Sequence, residues 1–392
     1  MSLTSTQTEI IKSSVPFLEE KGDELAKHMY DLMFEKYPEV RPLFNKVHQK
    51  NFTQPKILAF ALLAYAKNID NISVLGAFVN QIVSKHVGLQ ILPEHYPIVA
   101  ECIIQAIKDL LGDAATDDLI EAWTVAYTDL AGILIGAEEA QYSANERSPG
   151  GWRGFREFTV SNLIKECDNV LSVELKAKDG KAAIKAKNGQ YLGFKFQKNG
   201  IECRREYSIS SSGSPEYDYR ISVCHIPGGV VSSYIHNELK ISDIIEVAPP
   251  AGNFTLSESE SEEVLLIAGG IGITPLISIA ESALNKGKQV HLFQCVKSES
   301  KHPFKKWAQD LSAKCENFNF TTFYSQDTVI EKTGVYSRRI SAKDIERFAT
   351  PNTDIYALGP RRLMVSLMEY MKSAKYPVEN LKTESFGPYQ IY

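Results

Sequence analysis

No two of the six cysteines form a C-x-x-C pair, and Cys102, Cys167, Cys203, Cys224, Cys295 and Cys315 lie far apart. Neither a disulfide framework nor a cysteine-rich metal site is indicated, and the thiols read as reduced ones of a cytoplasmic protein. The start, MSLTSTQTEI, has no basic stretch followed by an apolar core, and no uninterrupted apolar run approaches the roughly 18 residues of a membrane helix. A soluble chain with no stable membrane anchor is therefore expected. The 43 basic residues against 48 acidic ones leave a net charge of -5 and form no cluster, which excludes a nucleic-acid footprint. Internal repeats and low-complexity tracts are also missing. The rest is ordinary globular composition: 44% hydrophobic and 23% charged over 392 residues, too apolar for disorder and long enough for two or three domains. Small-molecule chemistry in a monomeric chain is the expectation.

The chain changes character twice, which predicts three domains at 1–147, 148–257 and 258–392. The first is all α. Leu75, Phe78, Val79, Ile82 and His86 form one helical stripe that Gly88 is placed to end, Val99, Ile103, Ile107 and Leu110 form another, and Trp123, Tyr127, Leu130, Leu134 and Glu138 follow a candidate N-cap at Thr116. A polar stretch from Ser143 to Gly151 reads as a linker. The period then falls to two, with Leu171, Val173, Leu175 and Ala177 in one strand and Tyr217, Tyr219, Ile221 and Val223 in another. Asp179-Gly180 and Asn199-Gly200 are hairpin-type turns, so the middle domain is expected to be an antiparallel β-barrel. From Glu263 onward the strands VLLIA, VHLFQCV, FTTFYS and DIYALG alternate with helical segments, the pattern of an α/β domain with a parallel, doubly wound sheet.

Two of these regions carry nucleotide chemistry. After the strand ending at Ala268 comes Gly269-Gly270-Ile271-Gly272-Ile273-Thr274-Pro275 and then a helix. Glycines at a strand-to-helix turn let the backbone approach a pyrophosphate lying at the helix N-terminus. Pro275 replaces the third glycine of the dinucleotide fingerprint, so a structural turn remains the alternative. In the barrel, Arg205-Glu206-Tyr207-Ser208 combines a cation for phosphate, a flat ring for stacking and a hydroxyl for a ring edge, which together suit a flavin. Gly228-Gly229-Val230-Val231-Ser232 is a second glycine turn before a short helix.

From about Trp152 to the C-terminus the chain resembles the ferredoxin-NADP reductase family, whose R-x-Y-S, G-G-x-G-x-T-P and late G-P motifs stand here at Arg205–Ser208, Gly269–Pro275 and Gly359-Pro360. The resemblance implies an FAD site at Tyr191, Arg205, Tyr207, Ser208, Gly229, Val231 and Ser232, and an NAD(P)H site at Gly270, Gly272, Ile273, Thr274, Pro275, Gly359 and Pro360. Glu384-Ser385-Phe386-Gly387-Pro388 resembles the family's final motif, which adds Glu384 to the flavin site and makes Phe386 an aromatic gate over the ring. The chain departs from the pattern at Leu358, where the family usually has cysteine, and at Asn188, where it often has proline. The choice between NADH and NADPH turns on a cation near the second sheet strand, for which Lys297 and Arg338 are candidates.

In the helical third, His86 and Glu138 are polar residues on apolar stripes. A buried carboxylate is costly unless paired, and a metal-ligating histidine usually gives its second ring nitrogen to a carboxylate, so the two are candidate partners. Segment 1 to about 142 resembles the globin domain of flavohaemoglobins, on Tyr30 in HMYDLMF, Phe44 in RPLFN, Gln54 in NFTQPKIL, His86 in SKHVGLQI, Tyr96 in PEHYPIV and Glu138 in IGAEEAQY. By that resemblance His86 is the proximal ligand of haem b iron, with Tyr96 and Glu138 behind it. Tyr30, Gln54 and Leu58 line the distal side, and Phe44 packs on the haem. Glu139 competes with Glu138 for the proximal role, and Lys85 is either a partner of a haem propionate or a solvated lysine. The implied activity is nitric oxide dioxygenation: O2 and nitric oxide give nitrate at haem, with electrons passed from NAD(P)H through FAD. An oxygen- or redox-sensing globin and an NAD(P)H-dependent reductase of alkyl hydroperoxides are the alternatives.

Overall fold

The computed structural model describes residues 3–44, 49, 52–198, 200–212, 214–327 and 333–386. Helices α1 (Ser5–Ser13), α2 (Val15–Lys36), α3 (Thr53–Lys67), α4 (Gly76–Leu89), α5 (His95–Leu111) and α6 (Asp117–Arg147) build the first unit. Its core is packed by Leu25, Met29, Met33, Ile103 and Trp123. Thr4 and Gln7 close α1 with a reciprocal capping box, and the Thr116 side chain accepts from the Leu119 amide at the start of α6. The linker expected from Ser143 begins later. Ser143–Arg147 continue α6 to 31 residues, because alanine, glutamate and arginine propagate a helix and nothing stops it before Pro149. By length and composition α6 is the one described helix able to cross a bilayer, yet it buries Trp123, Ala126, Leu134, Glu138 and Tyr142.

Gly88 does not end α4. The helix runs through it to Leu89, and Gln90 takes the left-handed conformation at φ 58°. A methyl group on Gly88 would lie 2.7 Å from Tyr191 Cε2 and 2.9 Å from Glu206 Oε1. The glycine serves a close approach to the next domain.

That domain is a closed six-stranded barrel of β1 (Arg156–Cys167), β2 (Val170–Ala177), β3 (Tyr191–Lys198), β4 (Ile201–Ser212), β5 (Tyr219–Cys224) and β6 (Ile244–Val247), in the order β1-β2-β5-β4-β3-β6. Lys198 faces Ile201 across the β3–β4 hairpin, with Gly200 at φ 72°; Asn199 of the expected turn lies outside the described residues. Asp179-Gly180 is a turn but not a hairpin, since β2 pairs with β5 rather than β3. There Asp179 accepts from the Lys181 amide at 3.0 Å and is paired with Arg156. Tyr217 stands before its strand, which begins at Tyr219. The helix α7 (Val230–Asn237) follows β5.

The last unit is a parallel sheet of β7 (Glu263–Gly269), β8 (Gln289–Val296), β9 (Phe318–Tyr324), β10 (Val335–Tyr336), β11 (Asp354–Leu358) and β12 (Leu381–Thr383), in the order β10-β9-β8-β7-β11-β12. Helices α8 (Ile273–Asn285), α9 (Lys305–Lys314), α10 (Ala342–Glu346) and α11 (Arg361–Ser373) complete it. The four strands read from sequence are present, and the short edge strands β10 and β12 are additional. Strand order reverses between β7 and β11, and the crevice at the carboxyl ends of two such strands is where open α/β sheets bind ligands.

Candidate functional site

Two buried side chains, Tyr96 and Glu138, meet the half-buried His86 of α4. His86 Nδ1 lies 2.7 Å from Glu138 Oε1 and 3.1 Å from Tyr96 Oη, and the Tyr96 hydroxyl donates to the same carboxylate oxygen at 2.5 Å. Glu138 is 2% exposed, so the two donors are what make its burial tolerable. Burial first, and then the bond to Glu138, push the Tyr96 phenol far above its ordinary value. It is a permanent donor in the physiological range. Glu139 points elsewhere, into an ion pair with Arg153 and a 2.8 Å bond from Ser143. The Nδ1 contacts leave Nε2 of His86, which has no protein partner among the described residues, as the nitrogen for a metal.

The end of α4 is held from α6. The His86 carbonyl accepts from the Ile91 amide at 2.9 Å, and Tyr142 Oη donates to the Ile91 carbonyl at 2.7 Å. Tyr127 Oη donates to the Tyr96 carbonyl at 3.1 Å. The sequence reading places Tyr127 on the stripe without a bonding role and omits Tyr142, which falls one turn beyond Glu138 on the same stripe.

Tyr30 and Phe44 belong to a different apolar cluster, ring centroids 5.5 Å apart and edge to face, with Leu58 packed against them. Tyr30 is hydrogen-bonded to Gln49, whose Nε2 donates to Gln54 Oε1 at 3.0 Å. Burial, opposed by Gln49, lifts the Tyr30 phenol well above its ordinary value. The structure thus joins Tyr30 to Gln54 through a residue with no sequence signal of its own. Ile91, Tyr127 and Leu130 pack against both this cluster and the one around Val87 and Tyr96. An imidazole nitrogen left free in one cluster and a phenol in the other, both among apolar side chains, are a donor set that suits haem.

Lys85 is not a solvated lysine: its Nζ lies 3.3 Å from Glu206 of the barrel and 4.5 Å from the Tyr191 ring centroid. Burial pulls its ammonium down, but Glu206 and Glu384 outweigh that and hold it above its ordinary value. Burial likewise raises the Glu206 carboxyl, with Lys85 drawing it down. The globin, the barrel and the C-terminal segment therefore meet at one buried set of charges.

Beside it, β3 and β4 bring the flavin motif together. Tyr191 faces Ser208 and Phe194 faces Arg205 across the ladder, and the Tyr207 ring lies 5.6 Å from Phe194. Gly229 precedes α7, where an added methyl would meet Ser232 Oγ at 2.7 Å. No side chain caps that helix start, so its amides remain open to a pyrophosphate, above the buried Val231. Phe386 is 46% exposed, as an aromatic covering a ring-shaped ligand would be; Gly387 and Pro388 lie outside the described residues. The set fits FAD.

In the last domain the glycines divide their work. Gly270 is left-handed at φ 55° with open space where a Cβ would be, whereas a Cβ on Gly272 would sit 2.1 Å from the Leu358 carbonyl oxygen. Gly269 packs equally closely on Gly359 and Pro360, so the β7 and β11 turns touch. Ile273 and Pro275 are buried at the start of α8, and Thr274 Oγ1 turns back to the Ile271 carbonyl at 3.0 Å. Leu358 is buried against Gly272, and after Asn188, Gly189 at φ 98° ties the barrel to α8 through its amide and Ser278 Oγ at 3.0 Å. The cradle fits a nicotinamide dinucleotide.

Of the two candidate cations, Lys297 is exposed just past β8, but Arg338 is committed. Its guanidinium grips Asp344 at 2.6 and 2.7 Å and lies 4.7 Å from the Tyr336 centroid. Arg338 first, against burial, and then Ser341 hold the Asp344 carboxyl far below the usual carboxylate range. Because the folded-state value is the depressed one, this stabilisation is full above the unfolded value near pH 4 and is lost as pH falls toward the folded value. With Arg338 partly exposed, Arg338→Ala should cost about 1.5–3 kcal/mol at pH 7. The loss should shrink below about pH 4. Thermal melts across pH check both.

Known proteins agree with this assembly. Residues 27–134 match the Globin family, 157–256 the Oxidoreductase FAD-binding domain and 266–368 the Oxidoreductase NAD-binding domain. A flavohemoprotein of Candida albicans is 44% identical over 99% of this chain and 97% of its own length, and one of Pseudomonas putida is 41% identical over 98% of each. The chain belongs to the flavohemoprotein family. Its cofactors are haem, FAD and a nicotinamide nucleotide, and as a globin it takes small gases such as O2. A flavohemoglobin of Malassezia yamatoensis, solved with bound FAD and heme, has the same fold, with a TM-score of 0.85 at 21% identity over 99% of this chain and 100% of that one. The FAD/NAD-binding domain of a nitric oxide dioxygenase from Vibrio cholerae, 27% identical, superposes on 60% of this chain and all of its own with a TM-score of 0.55.

Proposed function

We propose that this flavohemoprotein is an NAD(P)H-dependent nitric oxide dioxygenase. Two nitric oxide and two dioxygen molecules, with one NAD(P)H, would give two nitrates, one NAD(P)+ and one proton. The observation that carries the reading is the hydrogen-bonded His86–Glu138–Tyr96 cluster, its carboxylate buried, in a chain that also supplies its own reductase.

When bound, haem supplies an iron that binds diatomic gases and changes by one electron, and FAD converts the two-electron hydride of a nicotinamide into single electrons. Everything else is done by the chain. Glu138 accepts from His86 Nδ1 and makes the imidazole a stronger donor, which favours oxidative chemistry over reversible storage. Tyr96 fixes that carboxylate. A sensing globin needs no such pair, so the cluster favours an enzyme. In the other cluster Tyr30, held by Gln49, would offer a hydroxyl to negative charge on a small molecule bound there. Tyr30→Phe should slow turnover by roughly ten- to a hundredfold, the weight of about 1.5–3 kcal/mol for a hydrogen bond to a charged group. Steady-state rates with flavin reduction as internal control measure this.

The reading is tested by aerobic removal of nitric oxide by haem- and FAD-loaded protein, with nitrate quantified. Nitrate formed at two per nicotinamide oxidised is the expected result. Nicotinamide oxidation indifferent to nitric oxide, beside brisk reduction of an alkyl hydroperoxide, would sink it.

A further inference from the structure

The helix that carries His86 and the strand that carries the flavin-side Tyr191 cross with their backbones in contact. A Cβ on Gly193 of β3 would lie 1.8 Å from the Gly88 carbonyl oxygen and 2.9 Å from its carbonyl carbon. On the other side of the crossing, a Cβ on Gly88 would run into the Tyr191 ring and Glu206. The contact is reinforced on either side of Gly88: Tyr191 Oη donates to the Ser84 carbonyl at 3.0 Å, and Arg204 Nη1 donates to the Leu89 carbonyl at 2.5 Å. The arginine thereby satisfies carbonyls that the end of α4 would leave orphaned. No solvent layer and no side chain separates α4 from β3 at this point, which is as close as two backbones can come.

We propose that the Gly88–Gly193 crossing is the spacer that sets the gap between the flavin site and the haem site, and through it the rate at which electrons pass between them. This rests on the reading above only in taking the haem to be reduced through the flavin. Two electrons enter with each nicotinamide hydride and leave singly across the crossing, so that two ferric irons become ferrous for each nicotinamide oxidised. Electron passage falls steeply with distance, and both sides of the crossing are held by backbone contacts. Gly88 and Gly193 are accordingly positioning residues: neither touches a cofactor through a side chain, and each is required for having none.

The test is Gly193→Ala in the full-length, haem- and FAD-loaded protein. The added methyl requires an ångström-scale separation of α4 from β3, and electron passage, which decays exponentially with distance, slows severalfold over such a gap. Under anaerobic conditions without nitric oxide, stopped-flow absorbance should show flavin reduction by NADH within twofold of the parent and haem reduction at least threefold slower. In the resting, oxidised protein the flavin fluorescence lifetime should lengthen, because energy transfer to haem weakens as the gap widens. Gly88→Ala, whose methyl meets only the ends of the Tyr191 and Glu206 side chains, should show the same signs at smaller size, and it decides the matter if Gly193→Ala does not fold. Gly132→Ala on α6, where nothing lies within 4 Å, sets the baseline. Parent-like haem reduction and an unchanged lifetime in a folded variant would overturn the proposal. A parent protein whose flavin is reduced and whose haem never is would instead overturn the electron route itself.

Discussion

Replacing His86 by alanine should abolish the proposed nitrate formation and leave the reduction of flavin by NADH at the parental rate. The expectation follows from how the structure partitions its work. His86 is the imidazole whose Nδ1 is committed to Glu138 and Tyr96 and whose Nε2 is left for a metal, so no other described side chain can take its place in that cluster. The cradles proposed for flavin and nicotinamide are built from β3, β4, α7 and the β7–α8 turn, none of which uses the imidazole. The Ser84 carbonyl and the Gly88 backbone, which hold α4 against the barrel, are main-chain groups that survive the substitution. The readouts are haem absorbance, the rate of flavin bleaching and nitrate yield, measured on one preparation. Loss of flavin reduction together with nitrate formation would mean that the helix and barrel fold as a single cooperative unit through this residue. Retained nitrate formation would remove the proximal role from His86.

How far the sequence led differs between the clusters of this site and the joints around it. The apolar stripes exposed His86 and Glu138 as polar residues facing inward, and the structure brings them to 2.7 Å across 52 residues of chain. Stripe membership also separates Glu138 from Glu139, since adjacent helical positions point about 100° apart. What a stripe cannot reveal is a partner in another domain. Lys85 pairs with Glu206, 121 residues later, and Gly88 is a glycine because of Gly193, not because a helix ends there. Local chemistry offers a helix terminus as the nearest reason for such a glycine, and that reason is wrong here. Alternation identified the barrel strands but not their neighbours: a period of two says which face a residue takes and nothing of which strand lies beside it, so the turn at Asp179-Gly180 looked like a hairpin. The edge strands β10 and β12, of two and three residues, are too short to show a period. Gln49 acts by bridging Tyr30 and Gln54 and Arg204 by capping carbonyls, roles that carry no pattern.

Glu138→Gln is the substitution that separates the electronic role of the proximal cluster from its architecture. Glutamine keeps the volume and offers a carbonyl oxygen to accept from His86 Nδ1 and from Tyr96, so Tyr142 and Ile91 continue to hold the end of α4. What disappears is the full negative charge at 2.7 Å from the imidazole. The ring then donates less electron density through Nε2, and a bound ferric iron becomes easier to reduce. Changing a partner that orients and polarises a metal-ligating histidine typically costs about 10- to 100-fold in metal affinity or activity. Nitrate formation should fall within that range, the reduction potential of the haem should rise, and flavin reduction should be unaffected. Burial sharpens the contrast, because a site with two donors and no charge is a cheaper interior than one with a carboxylate, so the glutamine variant should be at least as stable as the parent. An inactive variant that is also unstable, with an unshifted potential, would reduce Glu138 to a packing role. An active one with an unshifted potential would show that Tyr96 alone conditions the ligand.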